Sequence, residues 1–143
     1  MNQDRLTQLE NTRDWQGLVE ELERQIADGA MSNSDKAALH LRLGSTLLGK
    51  FFAGVKALKH FQDAYKLNPQ LSDSLDAARQ VYWDLGKLNM VQKLLELQLK
   101  SAPAGARSAS LLRELGDVLV EAADYDKATA TYAKSLEIGR AHV

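Results

Sequence analysis

The chain has 143 residues, of which 45% are hydrophobic and 26% charged, which is long enough and apolar enough for one folded domain. Its formal net charge of −1 gives no general attraction to nucleic acid or to an anionic membrane, and we expect neither as a partner. It contains no cysteine, which excludes disulfides, thiolate metal ligands and cysteine nucleophiles.

Helical periodicity runs along almost the whole chain, and no segment has the pattern of a strand. The first helix is short and covers residues 6–9, and the second covers residues 14–26. We expect a third helix with Ser34 as its N-cap and its end near Leu48, because serine favours that capping position. Residues 49–54 then form a turn.

The second half of the chain continues in the same way. A fourth helix over residues 55–67 is ended by Pro69, which cannot continue a helix. Ser72 is expected to cap a fifth helix, which Gly86 ends, and the sixth covers residues 88–99. After a loop of small residues at 101–108, two further helices carry the apolar positions Leu111, Leu112, Leu115, Val118 and Leu119, and then Tyr125, Ala128, Tyr132 and Leu136.

The last six residues, 138–143, break the helical pattern of residues 129–137. Their codons would match a sequencing adapter followed by a stop codon, so we expect a non-native tail. It follows that the natural chain continues past Glu137 and that His142 has no functional role.

One helical signature recurs four times in the chain. An apolar residue is followed after three positions by a small or aliphatic one, and four positions later by a bulky one. The four copies are Trp15-Leu18-Leu22, Gly54-Ala57-Phe61, Leu88-Val91-Leu95 and Tyr125-Ala128-Tyr132. The prolines that follow two of them, Pro69 and Pro103, lie 34 residues apart, and a fixed period of this length is typical of stacked helix pairs.

These positions resemble the tetratricopeptide repeat (TPR) family. The first full repeat matches at His40, Leu43, Gly44, Leu47, Ala57, Phe61, Ala64 and Pro69, with one extra residue in its turn. The third matches at Leu112, Leu115, Gly116, Leu119, Tyr125, Ala128 and Tyr132. The middle repeat diverges most, with matches at Leu75, Ala78, Tyr82, Gly86, Leu88, Val91, Leu95 and Pro103. It has Arg79 where the family has glycine and Gln98 where the family has alanine.

The resemblance implies an all-α, right-handed α-solenoid of stacked antiparallel helix pairs, a TPR-like superhelix of seven to eight helices. A partial repeat at residues 1–30 precedes full repeats at 34–69, 70–104 and 108–137, and 138–143 is the tail. We expect Gly44 and Gly116 to let paired helices approach closely opposite Ala57 and Ala128. Phe61 and Tyr132 are expected to fill the space between neighbouring pairs.

The candidates for chemistry are weak, and we expect no enzyme, no cofactor and no metal. Residues 44–50 mimic a phosphate-binding loop, but Phe51 stands where that loop needs Ser or Thr, and the context is helical. His40 and His60 belong to no metal-binding motif and lie on different helices, which favours structural or solvated histidines.

The first helix of each TPR repeat faces a concave groove, and the resemblance implies that twelve residues of this chain line that groove. They are Leu41, Ser45, Leu48, Asp73, Asp76, Gln80, Trp83, Asp84, Arg113, Asp117, Val120 and Glu121. This set is acidic, and Trp83 offers an anchor of the kind that dominates interfaces. A protein or peptide partner that is basic and carries an apolar residue would complement it. The alternative is that Trp83 packs on the adjacent pair and the acids are solvated.

The sequence therefore predicts a non-catalytic scaffold for protein–protein interaction, as a fragment of a longer repeat protein. The alternative is a structural spacer of a multidomain assembly or regulatory protein, which self-associates through the exposed terminal repeat. The apolar stretches are shorter than a membrane span and the N-terminus lacks the layout of a signal peptide, which favours the cytoplasm.

Overall fold

The computed structural model describes residues 3–141, and these form eight α-helices without a strand. The helices are α1 (Gln3–Asn11), α2 (Trp15–Ile26), α3 (Asn33–Phe51), α4 (Gly54–Leu67), α5 (Ser72–Asp84), α6 (Leu88–Ser101), α7 (Ala106–Glu121) and α8 (Tyr125–Ala141). The predicted all-α class is confirmed. None of the eight helices combines the length and the apolar character that crossing a bilayer requires.

The described residues divide into two compact units, 3–78 and 79–141, with the division inside α5. In the first unit, α1, α2 and α3 share one apolar core. Its fully buried side chains come from all three helices: Leu6, Leu9, Leu18, Val19, Leu22, Leu39 and Leu43. Short helices such as α1 are unstable alone in water, so this shared burial is what keeps them helical.

The pair of α3 and α4 is held by an aromatic ring against a glycine. A Cβ atom added at Gly44 would lie 2.6 Å from Cε1 of Phe61, which is 1% exposed. The predicted close approach is therefore confirmed at Gly44, where the nearest atoms belong to the ring of Phe61. Phe61 thus fills space within its own helix pair, where we had expected it to lie between pairs.

The second unit repeats this arrangement in α7 and α8. A Cβ atom at Gly116 would come even closer to the ring of Tyr132. The ring of Tyr132 thus covers Gly116 as the ring of Phe61 covers Gly44, and Ala128 is buried as well. Further core positions of this unit are Val81, Val91, Leu95, Leu111, Val118 and Leu119.

The pair of α5 and α6 is packed by different chemistry. Leu95 occupies the position of Phe61, sixteen residues after Arg79, and is fully buried. Arg79 is 8% exposed, and its Nη1 donates to Oε1 of buried Gln98 at 2.5 Å. Arg79 on α5 and Leu95 on α6 thus fill the space that, in the other two full pairs, is filled by an aromatic ring packed against glycine.

The turn within each helix pair contains one residue in the left-handed conformation. These residues are Arg13 (φ 57°), Phe52 (φ 53°), Gly86 (φ 72°) and Ala123 (φ 61°). In three of these turns, the residue after the left-handed one donates its backbone N–H to the carbonyl of the residue five positions before the donor. An example is the hydrogen bond from Asp124 to Leu119 at 2.9 Å. In the α3–α4 turn it reaches back six residues, from Ala53 to Leu47 at 3.0 Å, which confirms the extra residue there.

Several predicted boundaries were wrong. The N-cap of α3 is Ser32, whose Oγ accepts from the N–H of Asp35 at 3.1 Å, and not Ser34. Helix α3 continues through residues 49–51 in spite of Gly49, and the left-handed turn comes only at Phe52. Helix α5 begins at Ser72, so this residue is its first helical position and not a residue before it.

The loop predicted at residues 101–108 is shorter, because α6 extends to Ser101 and α7 begins at Ala106. The C-terminal residues also differ from expectation. Helix α8 continues to Ala141, with Ile138 half-buried, so this segment does not break the helix. Whether residues 138–143 are foreign stays a prediction, and His142 lies outside the described residues.

Candidate functional site

The first helices of successive pairs lie side by side within each unit. In the first unit Nη2 of Arg42 on α3 donates to Oε2 of Glu10 on α1 at 2.5 Å. In the second, the guanidinium of Arg79 on α5 pairs with the carboxylate of Glu114 on α7. Both ion pairs span about one repeat of sequence, so equivalent helices of neighbouring pairs are adjacent, as stacked repeats require.

The predicted groove residues of α3 lie at the surface. Leu41 and Leu48 are half-buried, and Ser45 is exposed. Ser45 borders a depression that is also lined by Glu10, Trp15, Leu18, Arg42, Thr46 and Lys50. Nζ of Lys50 lies 4.5 Å from the centre of the Trp15 ring, a cation–π contact at the rim of this depression.

The α5 residues of the predicted groove belong to both units. Asp73 and Asp76 fall in the first unit, where Asp73 is exposed and Asp76 is half-buried. Gln80, Trp83 and Asp84 fall in the second. Nε2 of Gln80 donates to Oδ1 of Asp84 at 3.1 Å, which orients the carboxylate along the helix, and Trp83 keeps part of its surface accessible.

The four groove residues of α7 are all exposed: Arg113, Asp117, Val120 and Glu121. The hydroxyl of Tyr132 on α8 donates to Oδ1 of Asp117 at 2.6 Å. This hydrogen bond raises the pKa of Tyr132 and fixes the direction of the Asp117 carboxylate. One helical turn beyond the Arg79–Glu114 pair, the second unit therefore presents Trp83 on α5 and Asp117 on α7.

The segment that mimics a phosphate-binding loop, residues 44–50, lies entirely within α3. The backbone N–H groups of a helix interior donate to carbonyls of the preceding turn and are not available to cradle a phosphate. Gly44 is covered by Phe61, and the predicted helical structure of this segment is confirmed.

Sequence reasoning missed a cluster in which two histidines meet. Nδ1 of His40 on α3 lies 3.0 Å from Nδ1 of His60 on α4, and the rings stack with centroids 5.2 Å apart. The carboxylate of Asp63 completes the cluster. The sequence contained part of the signal, because His40 is four residues before Gly44 and His60 adjoins Phe61, the two residues whose contact closes the pair, but it did not specify how α3 and α4 align.

Burial is the largest influence on both imidazoles and lowers the pKa of each below its usual range. The positive charge of a protonated His60 adds to this effect at His40. Asp63 acts in the opposite direction on both rings. The net effect lowers both pKa values and so favours the neutral form of each imidazole.

Paired helices, equivalent helices side by side and a left-handed residue in each turn define a helical-repeat protein of the TPR-like kind. The crystal structure of MamA, a TPR-containing protein, matches it with a TM-score of 0.72 and 18% sequence identity. The match covers 93% of this chain and 73% of MamA, and it establishes the fold. No family model matches the chain, and no curated protein matches it.

Proposed function

We propose that this chain is a non-catalytic scaffold that binds a basic protein segment on the groove-facing sides of its first helices. The observation that carries the proposal is that none of the twelve predicted groove residues is buried. Side chains needed for a core would be covered, whereas those that bind a partner must stay accessible. The TPR-like fold supports a protein partner in general.

The strongest part of the proposed surface lies in the second unit, on α5 and α7. It combines the partly exposed ring of Trp83 with Val120, which is 38% exposed. The same two helices carry the exposed carboxylates of Asp84, Asp117 and Glu121, and Arg113 is the one cation among the predicted groove residues. An aromatic anchor on helices with an excess of acidic groups favours a segment with Lys or Arg beside one apolar residue.

The test is isothermal titration of short synthetic peptides in which one Leu or Phe is flanked by Lys and Arg. Peptides with the same apolar residue but Glu in place of Lys and Arg are the negative control. We expect binding of the basic peptides only, with an affinity that falls as salt is raised, because exposed charges are screened.

Two matched variants locate the binding. Trp83→Ala with Glu121→Lys alters the proposed surface, whereas Glu96→Lys places the same charge change on the exposed face of α6. Loss of a tryptophan hot spot costs about 2 kcal/mol or more, so we expect affinity to fall at least about thirtyfold in the first variant. Equal affinity in both variants would place binding elsewhere and overturn the proposal.

A self-associating spacer is the second candidate function. The observation that favours it is Leu136 on α8, a large apolar residue that is 60% exposed. Exposed apolar surface of this kind promotes pairing between copies. Sedimentation equilibrium distinguishes the two functions, because a spacer would gain mass with concentration and lose that gain in Leu136→Lys, whereas a peptide scaffold would remain monomeric.

A further inference from the structure

Three potential metal ligands converge where α3 and α4 are closest. His40 extends from α3, while His60 and Asp63 extend from one face of α4 because they are three residues apart. One ligand atom from each lies within 4.8 Å of the other two. We propose that His40, His60 and Asp63 bind a divalent transition metal ion, zinc being the expected occupant, which joins the two helices.

The distances suit a tetrahedral ion. Zinc binds imidazole nitrogen at about 2.0–2.1 Å, so two ligand nitrogens in a tetrahedron lie about 3.3 Å apart. The Nδ1 atoms of His40 and His60 are 3.0 Å apart, and a small rotation of either ring reaches the required separation. Two histidines and one carboxylate are an established ligand set for zinc, with a fourth position open to water.

The electrostatics also suit a cation. Metal ligands must be unprotonated, and burial lowers the pKa of both imidazoles, which favours that form. The charge of Glu23 on α2 reaches His60, and both residues line a depression open to solvent. Lys56 and Lys59 line the same depression. Lys36 lowers the pKa of His40 and Lys59 lowers that of His60, whereas Asp63 raises both and Glu23 raises that of His60.

Without metal, the two neutral rings can share one hydrogen bond, in which Nδ1–H of one imidazole donates to Nδ1 of the other. A divalent ion could use both Nδ1 atoms at once if the proton of the donating ring moves to Nε2 of that ring, so that each imidazole stays neutral. Imidazole with carboxylate favours zinc, cobalt, nickel and copper over magnesium and calcium, which prefer oxygen ligands alone. None of the three ligands is among the twelve predicted groove residues, so the failure of either proposal leaves the other unaffected.

The experiment uses the full chain without an affinity tag, in a His142→Ala background because that histidine lies outside the described residues. The protein is stripped with a chelator and titrated with Co²⁺ while visible absorption is recorded, and Zn²⁺ is then added as a competitor. We expect one equivalent of Co²⁺ to give the intense absorption of a tetrahedral site and Zn²⁺ to abolish it. The melting temperature should rise with Zn²⁺, because the ion binds the folded state.

The variants His40→Gln, His60→Gln and Asp63→Asn each remove one ligand, and Asp35→Asn alters an exposed acid of α3 as the matched control. Since even the partners of a metal ligand contribute ten- to a hundredfold in affinity, we expect each ligand variant to lose about a hundredfold or more. Asp63→Asn keeps the side-chain shape, and circular dichroism checks that each variant is folded. Failure of the parent to bind, or equal binding by parent and ligand variants, would overturn the proposal.

Discussion

The guanidinium of Arg79 on α5 pairs with the carboxylate of Glu114 on α7 and also donates to the amide oxygen of Gln98 on α6. One side chain thus joins three helices of the second unit, at a position where both other full pairs have glycine. Its partners differ in exposure, because Gln98 is 6% exposed whereas the side chain of Glu114 is 31% exposed.

We expect Arg79→Ala to lower the free energy of unfolding by about 2–3 kcal/mol, because it leaves Gln98 buried without this donor and Glu114 without its charge partner. Urea denaturation measures the loss. The triple variant Arg79→Gly, Leu95→Phe, Gln98→Ala restores glycine against an aromatic ring and should recover roughly half of the loss or more. A triple variant less stable than Arg79→Ala would contradict this account of the packing.

Gly44 and Gly49 both lie on α3, and we expect substitution by alanine to have opposite effects on stability at these two positions. Gly44→Ala should destabilise by about 1–3 kcal/mol, because the fully buried ring cannot move away from the new methyl group. Gly49 has no atom within 4 Å of its added Cβ, so Gly49→Ala should stabilise α3 by up to about 1 kcal/mol. Thermal melting of both variants is the measurement, and a shift of the same sign in both would refute the packing role.

The left-handed turn residues make a third prediction. Ala123→Gly should stabilise the chain by about 0.5–1 kcal/mol, because glycine adopts φ 61° without the cost that a side chain carries. Gly86→Ala should cost a similar amount at φ 72°. Ala122, at φ −82°, is the control, and Ala122→Gly should not stabilise. The midpoints of denaturant unfolding measure these changes. Higher stability in both Ala123→Gly and Ala122→Gly would point to a cause other than backbone strain.

The histidine pair predicts a pH dependence of stability in the chelated protein. Burial lowers the pKa of His40 and His60 below the ordinary value of 6.5, so the unfolded chain binds protons more readily than the folded one. The free energy of unfolding should therefore fall as pH decreases below 6.5 towards the lower pKa values of the folded state. Urea denaturation from pH 7.5 to 5 measures this, and His40→Gln with His60→Gln should flatten the curve in that range.

Much of the fold could be predicted from the sequence because its signals are periodic. Apolar spacing gave the number of helices, Pro69 separated α4 from α5, and the glycines marked the close approaches. The boundaries at residues 49–51 and 101–106 could not be predicted, because they depend on a left-handed turn without glycine at Phe52 and on good helix formers that extend α6 and α7.

The candidate sites were predictable to different degrees. The surface position of Trp83 followed from the helical period and the TPR resemblance. The meeting of His40 with His60 depends on how α3 and α4 align across a turn with one extra residue, which the two positions alone do not specify. Arg79 was recognised as a departure from the pattern, but its partners on α6 and α7 depend on three-dimensional packing.

Chemical-shift mapping of the isotopically labelled protein with a bound basic peptide shows directly which helices bind a partner. We predict that the largest perturbations fall on the first helices, at Trp83, Val120 and Glu121, and that α6 and α8 change little. Perturbations confined to α6 and α8, or none at saturating peptide, would contradict the assignment of these faces to partner binding.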